Sequence, residues 1–80
     1  MISSAQVSVY PLRQERIGPA IAIVRAALQA RGLEPQVGPM STIVTGEDQL
    51  IFAALGDAFA KAAEVGQVVM TVTVSNACPI

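Results

Sequence analysis

Histidine and tryptophan are absent from this 80-residue chain, and cysteine occurs once, at Cys78. Without histidine the usual general base near neutral pH is missing, and no His/Cys ligand set exists for zinc. A single cysteine cannot close an internal disulfide, and with no base beside it Cys78 reads as a small buried or tail residue rather than a nucleophile. Charge is scarce as well: 14% of residues are charged and the net charge is −1, against a typical charged share of about 25%. The basic stripe that nucleic acid binding needs is lacking, and so is a polybasic membrane anchor. Glycine, proline or a charge interrupts every apolar stretch well before the roughly 20 residues of a membrane span. The opening MISSAQ has neither the basic nor the apolar region of a signal peptide, so residence in the cytoplasm is expected. No phosphate-cradling or nucleophile-elbow string occurs, and no cofactor is implied.

What is present is a segregated charge pattern. The five basic and six acidic residues all fall in two windows, 13 to 34 and 47 to 64. The uncharged windows, 1 to 12, 35 to 46 and 65 to 80, are the ones that read as strands, so a sheet built from them offers no charge to water on either face. Helices can cover one face, and the other calls for a partner subunit, a ligand or both. Eighty residues make a single domain, spanning 1–80, near the size where one core barely outweighs chain entropy, and self-association is a natural source of stability.

Residues 4 to 10 alternate, with Ala5, Val7 and Val9 against Gln6, Ser8 and Tyr10, the period of a half-buried strand that Pro11 ends. Pro19 suits the first turn of a helix, and Ile17, Ile21, Val24 and Leu28 form one stripe that stops at Gly32, a suitable left-handed cap. Two short strands follow within 34 to 45, the second STIVT, with a turn or bulge at Gly38 and Pro39. Thr45 with Asp48 resembles a capping box, Glu47 and Asp48 suit the positive end of a helix dipole, and Ile51, Leu55, Phe59 and Ala62 mark the buried stripe of a second helix. Gly56 weakens that helix and Gly66 closes it. The last strand, 67 to 75, sets Val68, Met70, Val72 and Val74 against Val69, Thr71, Thr73 and Ser75.

The order βαββαβ with right-handed crossovers predicts a four-stranded antiparallel sheet with both helices on one face, the ferredoxin-like α+β plan. The first helix window carries +2 and the second −3, so neighbouring helices would bear complementary charge. On the other face Gln6, Ser8, Tyr10, Thr71, Thr73 and Ser75 make a hydroxyl and amide surface that suits a small, neutral, hydrogen-bonding heterocycle, with Tyr10 as a stacking plane. The plainer reading is that Thr and Ser are good strand residues on a solvated face. Met40 and Met70 read as core or interface filler. Asn76 has two readings, a turn residue with positive φ or an amide that pairs with a pyrimidine edge.

Ser8-x-Tyr10-Pro11, Ser41-Thr42 followed four residues later by Gly46, Phe52 in the next helix, and Val69-Met70 leading to Ser75, Cys78 and Pro79 resemble the YkoF-like thiamine- and hydroxymethylpyrimidine-binding domains. The resemblance spans nearly the whole chain. It implies the fold just described and a soluble, non-enzymatic protein that binds thiamine or its pyrimidine precursor in salvage or transport. It also implies ligand-binding hydroxyls at Ser8, Ser41, Thr42 and Ser75 and the ring of Tyr10; Gln6 and Asn76 join them on chemical grounds. Some members of that family carry two such domains, so a homodimer or homotetramer of this single domain would restore the pairing. A charge-free pocket suits the pyrimidine half of thiamine, with Glu47 or Asp48 as neighbours of the cationic thiazolium. The rivals are a homo-oligomerising structural or regulatory module with no small ligand, and an enzyme of the same metabolism, for which no acid or base is evident.

Overall fold

The computed structural model describes residues 1–12, 18–38 and 41–77. The expectations for Ile17, Pro39, Met40, Cys78 and Pro79 lie outside them. In chain order the elements are β1 (Ile2–Pro11), α1 (Gly18–Ala30), β2 (Gln36–Val37), β3 (Thr42–Glu47), α2 (Asp48–Glu64) and β4 (Val68–Ser75). One antiparallel sheet has the order β2-β3-β1-β4, with both helices on one side, which is the ferredoxin-like plan.

Period-two alternation places the strands as expected. Ala5, Val7 and Val9 of β1 and Val44 of β3 are buried under the helices, while Gln6, Tyr10, Ile43 and Thr45 point to the open side. Val68, Met70, Val72 and Val74 of β4 also face the helix side, but each is only half-buried. From α1 come Ala20, Val24, Ala27 and Leu28, one face of a 3.6-residue repeat. The helix ends where the pattern predicts: Gly32 takes φ +82, its N–H donates to the Gln29 carbonyl at 2.9 Å, and Leu33 N–H donates back to the Leu28 carbonyl at 3.2 Å. This pair of bonds is a Schellman closure, and the buried Leu33 is its hydrophobic latch.

The second helix departs from expectation at two points. Its buried residues are Ile51, Ala54, Leu55, Ala58 and Ala62, whereas Phe59 is 46% exposed. Position 58, not 59, continues the Ile51–Leu55 stripe at the i+7 spacing, and alanines at 54, 58 and 62 let the helix lie close to its neighbours. Nor does Thr45 cap this helix. The N-cap residue is Glu47, which makes no side-chain capping bond, and Thr45 lies inside β3 with its hydroxyl 3.2 Å from Ser4 Oγ. Asp48 N–H instead donates to the Met1 carbonyl at 2.9 Å, and the Met1 ammonium donates to Glu47 Oε1 at 2.6 Å. That hydrogen bond to Glu47 holds the ammonium pKa above its ordinary value.

Among the described residues, complementary charge between the two helical windows gives one contact, Arg31 Nε donating to Asp57 Oδ2 at 2.7 Å, with both side chains about two-fifths exposed. Exposed pairs of this kind contribute about 1 kcal/mol or less. Two glycines make opposite predictions. A Cβ at Gly46 would come within 2.7 Å of the buried Leu33 side chain, while one at Gly56 would meet nothing within 4 Å. Gly46→Ala is therefore expected to lower stability by about 1–3 kcal/mol through overpacking. Gly56→Ala should raise it by about 1 kcal/mol through helix propensity. Paired urea melts of the two variants read both signs.

Candidate functional site

Strand register creates the principal feature of the site. The pairing of β1 with β3 stops at Val7 opposite Thr42, while its pairing with β4 continues to Pro11 opposite Val68. Among the described residues, the end of β1, Ser8 to Pro11, is thus bordered by strand on one side only. On the β3 side a cleft of about 200 Å³ opens between that margin, α1 and the β2–β3 connection. Because the margin is a strand edge, side chains of both sheet faces line it. Val7, Val9, Ile21 and Val24 form an apolar floor, and Ser8, Tyr10, Ser41 and Thr42 bring four hydroxyls. Gly38 N–H donates to the Ser41 carbonyl at 2.8 Å and ties the connection that carries Ser41. No charged side chain lines this cleft among the described residues.

A second, wider concavity of about 710 Å³ occupies the open face of the sheet. Two cross-strand rows floor it: Thr45, Ser4 and Ser75, then Gln36, Ile43, Gln6 and Thr73. Glu34, in the segment before β2, is its single charged lining residue among those described.

The seven side chains singled out in the sequence therefore divide. Ser8, Tyr10, Ser41 and Thr42 converge on the small cleft; Gln6 and Ser75 belong to the wide concavity; Asn76 lines neither. Thr42 is buried and lies on the helix side of the sheet, so it reaches the cleft from beneath. The Ser75 hydroxyl already accepts the Ala77 N–H at 3.0 Å, and Asn76 Nδ2 contacts Met1 Sδ at 3.3 Å. Glu47 and Asp48 stand beside the Met1 ammonium, at 2.6 and 3.9 Å, and line neither concavity. The acid that lines the wide concavity is Glu34. The sheet is not wholly charge-free either, because Glu47 ends β3 opposite Ile2 on that face.

Sequence reasoning missed Ser4, Thr45, Glu34 and Gln36. Ser4 and Thr45 were accessible through the same period-two alternation that picked out Gln6. Glu34 and Gln36 reach the concavity through the β2–β3 pairing, which no local pattern announces. Among the described residues, no group of three or more Cys, Asp or Glu is placed to hold a metal ion, and no helix is long and apolar enough to cross a membrane.

Comparison with known proteins agrees with the fold. A family model described as "Thiamine-binding protein" matches residues 5–77. A solved structure from Streptococcus pneumoniae is similar at 27% identity and TM-score 0.85, covering 94% of this chain and 86% of its own. A hypothetical protein of Methanocaldococcus jannascii gives TM-score 0.86 at 18% identity, over 94% of this chain and 79% of its own. A Thermotoga maritima structure titled a putative thiamine biosynthesis/salvage protein gives 0.82 at 18%, over 92% and 82%. No curated protein matches the chain.

Proposed function

The chain belongs to the thiamine-binding protein family, and from that premise we propose that it binds the pyrimidine ring of thiamine, or free hydroxymethylpyrimidine, in the cleft beside the end of β1. The observation that carries this reading is the convergence of Ser8, Tyr10, Ser41 and Thr42 around a cleft whose described walls carry no charge. A neutral pyrimidine with ring nitrogens and an amino group needs partners that both donate and accept, and hydroxyls do both. The apolar floor takes the ring faces.

Size argues the same way. About 200 Å³ falls below the roughly 300–1,000 Å³ of sites that enclose a drug-sized molecule, so the cleft suits one substituted ring. The cationic thiazolium of thiamine then stays in water at the rim, since burying an unpaired charge is costly. The site holds its ligand without converting it. The domain works as a homodimer or homotetramer in the cytoplasm, in vitamin salvage or transport.

Calorimetric titration tests this. Saturable heat is expected with both thiamine and hydroxymethylpyrimidine, with affinities within about tenfold of each other, since the thiazolium adds less than about 1.4 kcal/mol. Absence of saturation with either would remove the binding role, and sustained conversion of ligand in the same cell would make the protein an enzyme. The second reading, an interaction module without a small ligand, rests on the open face, where Tyr10, Ile43 and Val69 are 47%, 47% and 38% exposed.

A further inference from the structure

The two ends of the small cleft differ in chemistry. One end is closed where the β1–β3 ladder stops, at Val7 opposite Thr42. The lining residues Val7 and Val24 are 2% and 1% exposed, and Thr42 is 6% exposed. Toward Tyr10, which is half exposed at the end of β1, the cleft opens to water. Among the described residues, the hydroxyl of Thr42 is therefore the one polar side-chain group at the closed end, and two valines make up the rest of that wall.

The geometry of the ligand then decides which edge of the ring goes deep. The pyrimidine of thiamine carries a methyl group at C2, an amino group at C4 and, at C5, the carbon that bears the thiazolium. C2 and C5 are opposite corners of the six-membered ring. Burying the unpaired charge of the thiazolium is costly, whereas burying a methyl group is favourable. C5 consequently faces the open end and C2 faces Val7 and Val24. The ring nitrogens and the amino group lie along the sides, within the set of hydroxyls that Ser8, Ser41 and Thr42 bring.

We propose that the closed end reads the C2 substituent, admitting a methyl group and rejecting an oxo group, so that the ligands are 2-alkyl-4-aminopyrimidines and the 2-oxopyrimidines of nucleic acids are excluded. This rests on the pyrimidine reading above and narrows it to a ligand class. A methyl group against two valines exchanges water for apolar contact. An oxo group in the same place gives up its water for a wall whose one hydroxyl is taken by the neighbouring ring nitrogen. A buried acceptor left without a donor costs more than an ordinary hydrogen bond returns. The oxo form also carries a proton on the ring nitrogen beside C2, which turns an acceptor into a second buried donor. Val7 and Val24 thus determine specificity by offering nothing to bond with.

Calorimetry with three ligands that differ at C2 tests this: hydroxymethylpyrimidine, its analogue with hydrogen at C2, and 5-hydroxymethylcytosine, which has the oxo group and its accompanying ring proton. Relative to hydroxymethylpyrimidine, the hydrogen analogue is expected to bind about 4- to 10-fold more weakly, the loss of one buried methyl group. The cytosine is expected to bind about 10- to 100-fold more weakly, or ~1.4–2.7 kcal/mol. Val7→Thr keeps the shape of the wall and adds a hydroxyl, and should narrow the ratio between hydroxymethylpyrimidine and the cytosine by about fivefold or more. If that variant does not fold, the three wild-type affinities decide. Equal wild-type affinity for hydroxymethylpyrimidine and the cytosine would overturn the C2 selection and leave the pyrimidine reading standing. An unchanged ratio in folded Val7→Thr would place C2 away from this wall and overturn the selection in the same way. No saturation with either thiamine or hydroxymethylpyrimidine would remove both.

Discussion

A Tyr10→Ala variant is expected to bind thiamine and hydroxymethylpyrimidine about 10- to 100-fold more weakly than wild type while keeping its fold. Tyr10 lines the cleft at the end of β1 and is 47% exposed in the unliganded chain, so truncation removes a wall of the site and little of the core. An aromatic contact contributes about 0.5–1.5 kcal/mol beyond the area it buries, and closing the ring against a ligand adds a comparable burial gain. At 1.4 kcal/mol per tenfold, the sum gives the stated range. Tyr10→Phe separates ring from hydroxyl: it should lose only the ~1 kcal/mol of one hydrogen bond, about fivefold. Calorimetry supplies the affinities and a thermal melt the stability. Undiminished affinity in Tyr10→Ala would take the ligand out of this cleft and leave the wide concavity, with Gln6 and Ser75, as its place.

Leu28→Ala should be among the most damaging side-chain truncations to stability, lowering it by about 3 kcal/mol. Leu28 is 0% exposed, lies where α1 meets the sheet and α2, and supplies the carbonyl that Leu33 N–H uses to close the helix. Truncation removes transfer energy and leaves a cavity wherever the surrounding elements relax only partly. A domain of 80 residues has roughly 4–12 kcal/mol in total at ~0.05–0.15 kcal/mol per residue. The variant therefore loses a quarter or more of its stability, and its midpoint should fall by roughly 12–24 °C. The melts are run at one protein concentration, so that any self-association contributes equally to both proteins. A loss under ~1 kcal/mol would mean that Leu28 is not at the centre of the core.

Much of the fold was legible because it is written in short periods. Ala5, Val7 and Val9 alternate at two, Val24 and Leu28 recur within one helical turn, and Gly32 stops α1 by a local bonding scheme. Each of these is decided within a few residues of chain. Phe59 and Thr45 were misread for a related reason. A stripe that fits Phe59 also fits Ala58, and bulk favoured the phenylalanine until the helix had a surface to lie against. Thr45 spaced from Asp48 matches a capping box, but β3 continues to Glu47 and draws the threonine into the ladder opposite Ser4.

The candidate site was legible as residue types and only partly as a place. Ser8, Tyr10, Ser41 and Thr42 stood out in the sequence, yet nothing local said that they would meet while Gln6 and Ser75 went elsewhere. That division follows from β1 outrunning β3 by four residues, Ser8 to Pro11. The amino-acid order on its own determined the element sequence and the inward face of each strand, since these depend on neighbours a few residues apart. Tertiary structure alone decided where the cleft opens and which acid lines the wide concavity, because register sets residues 35 to 45 positions apart against one another and no short period in a chain encodes that distance.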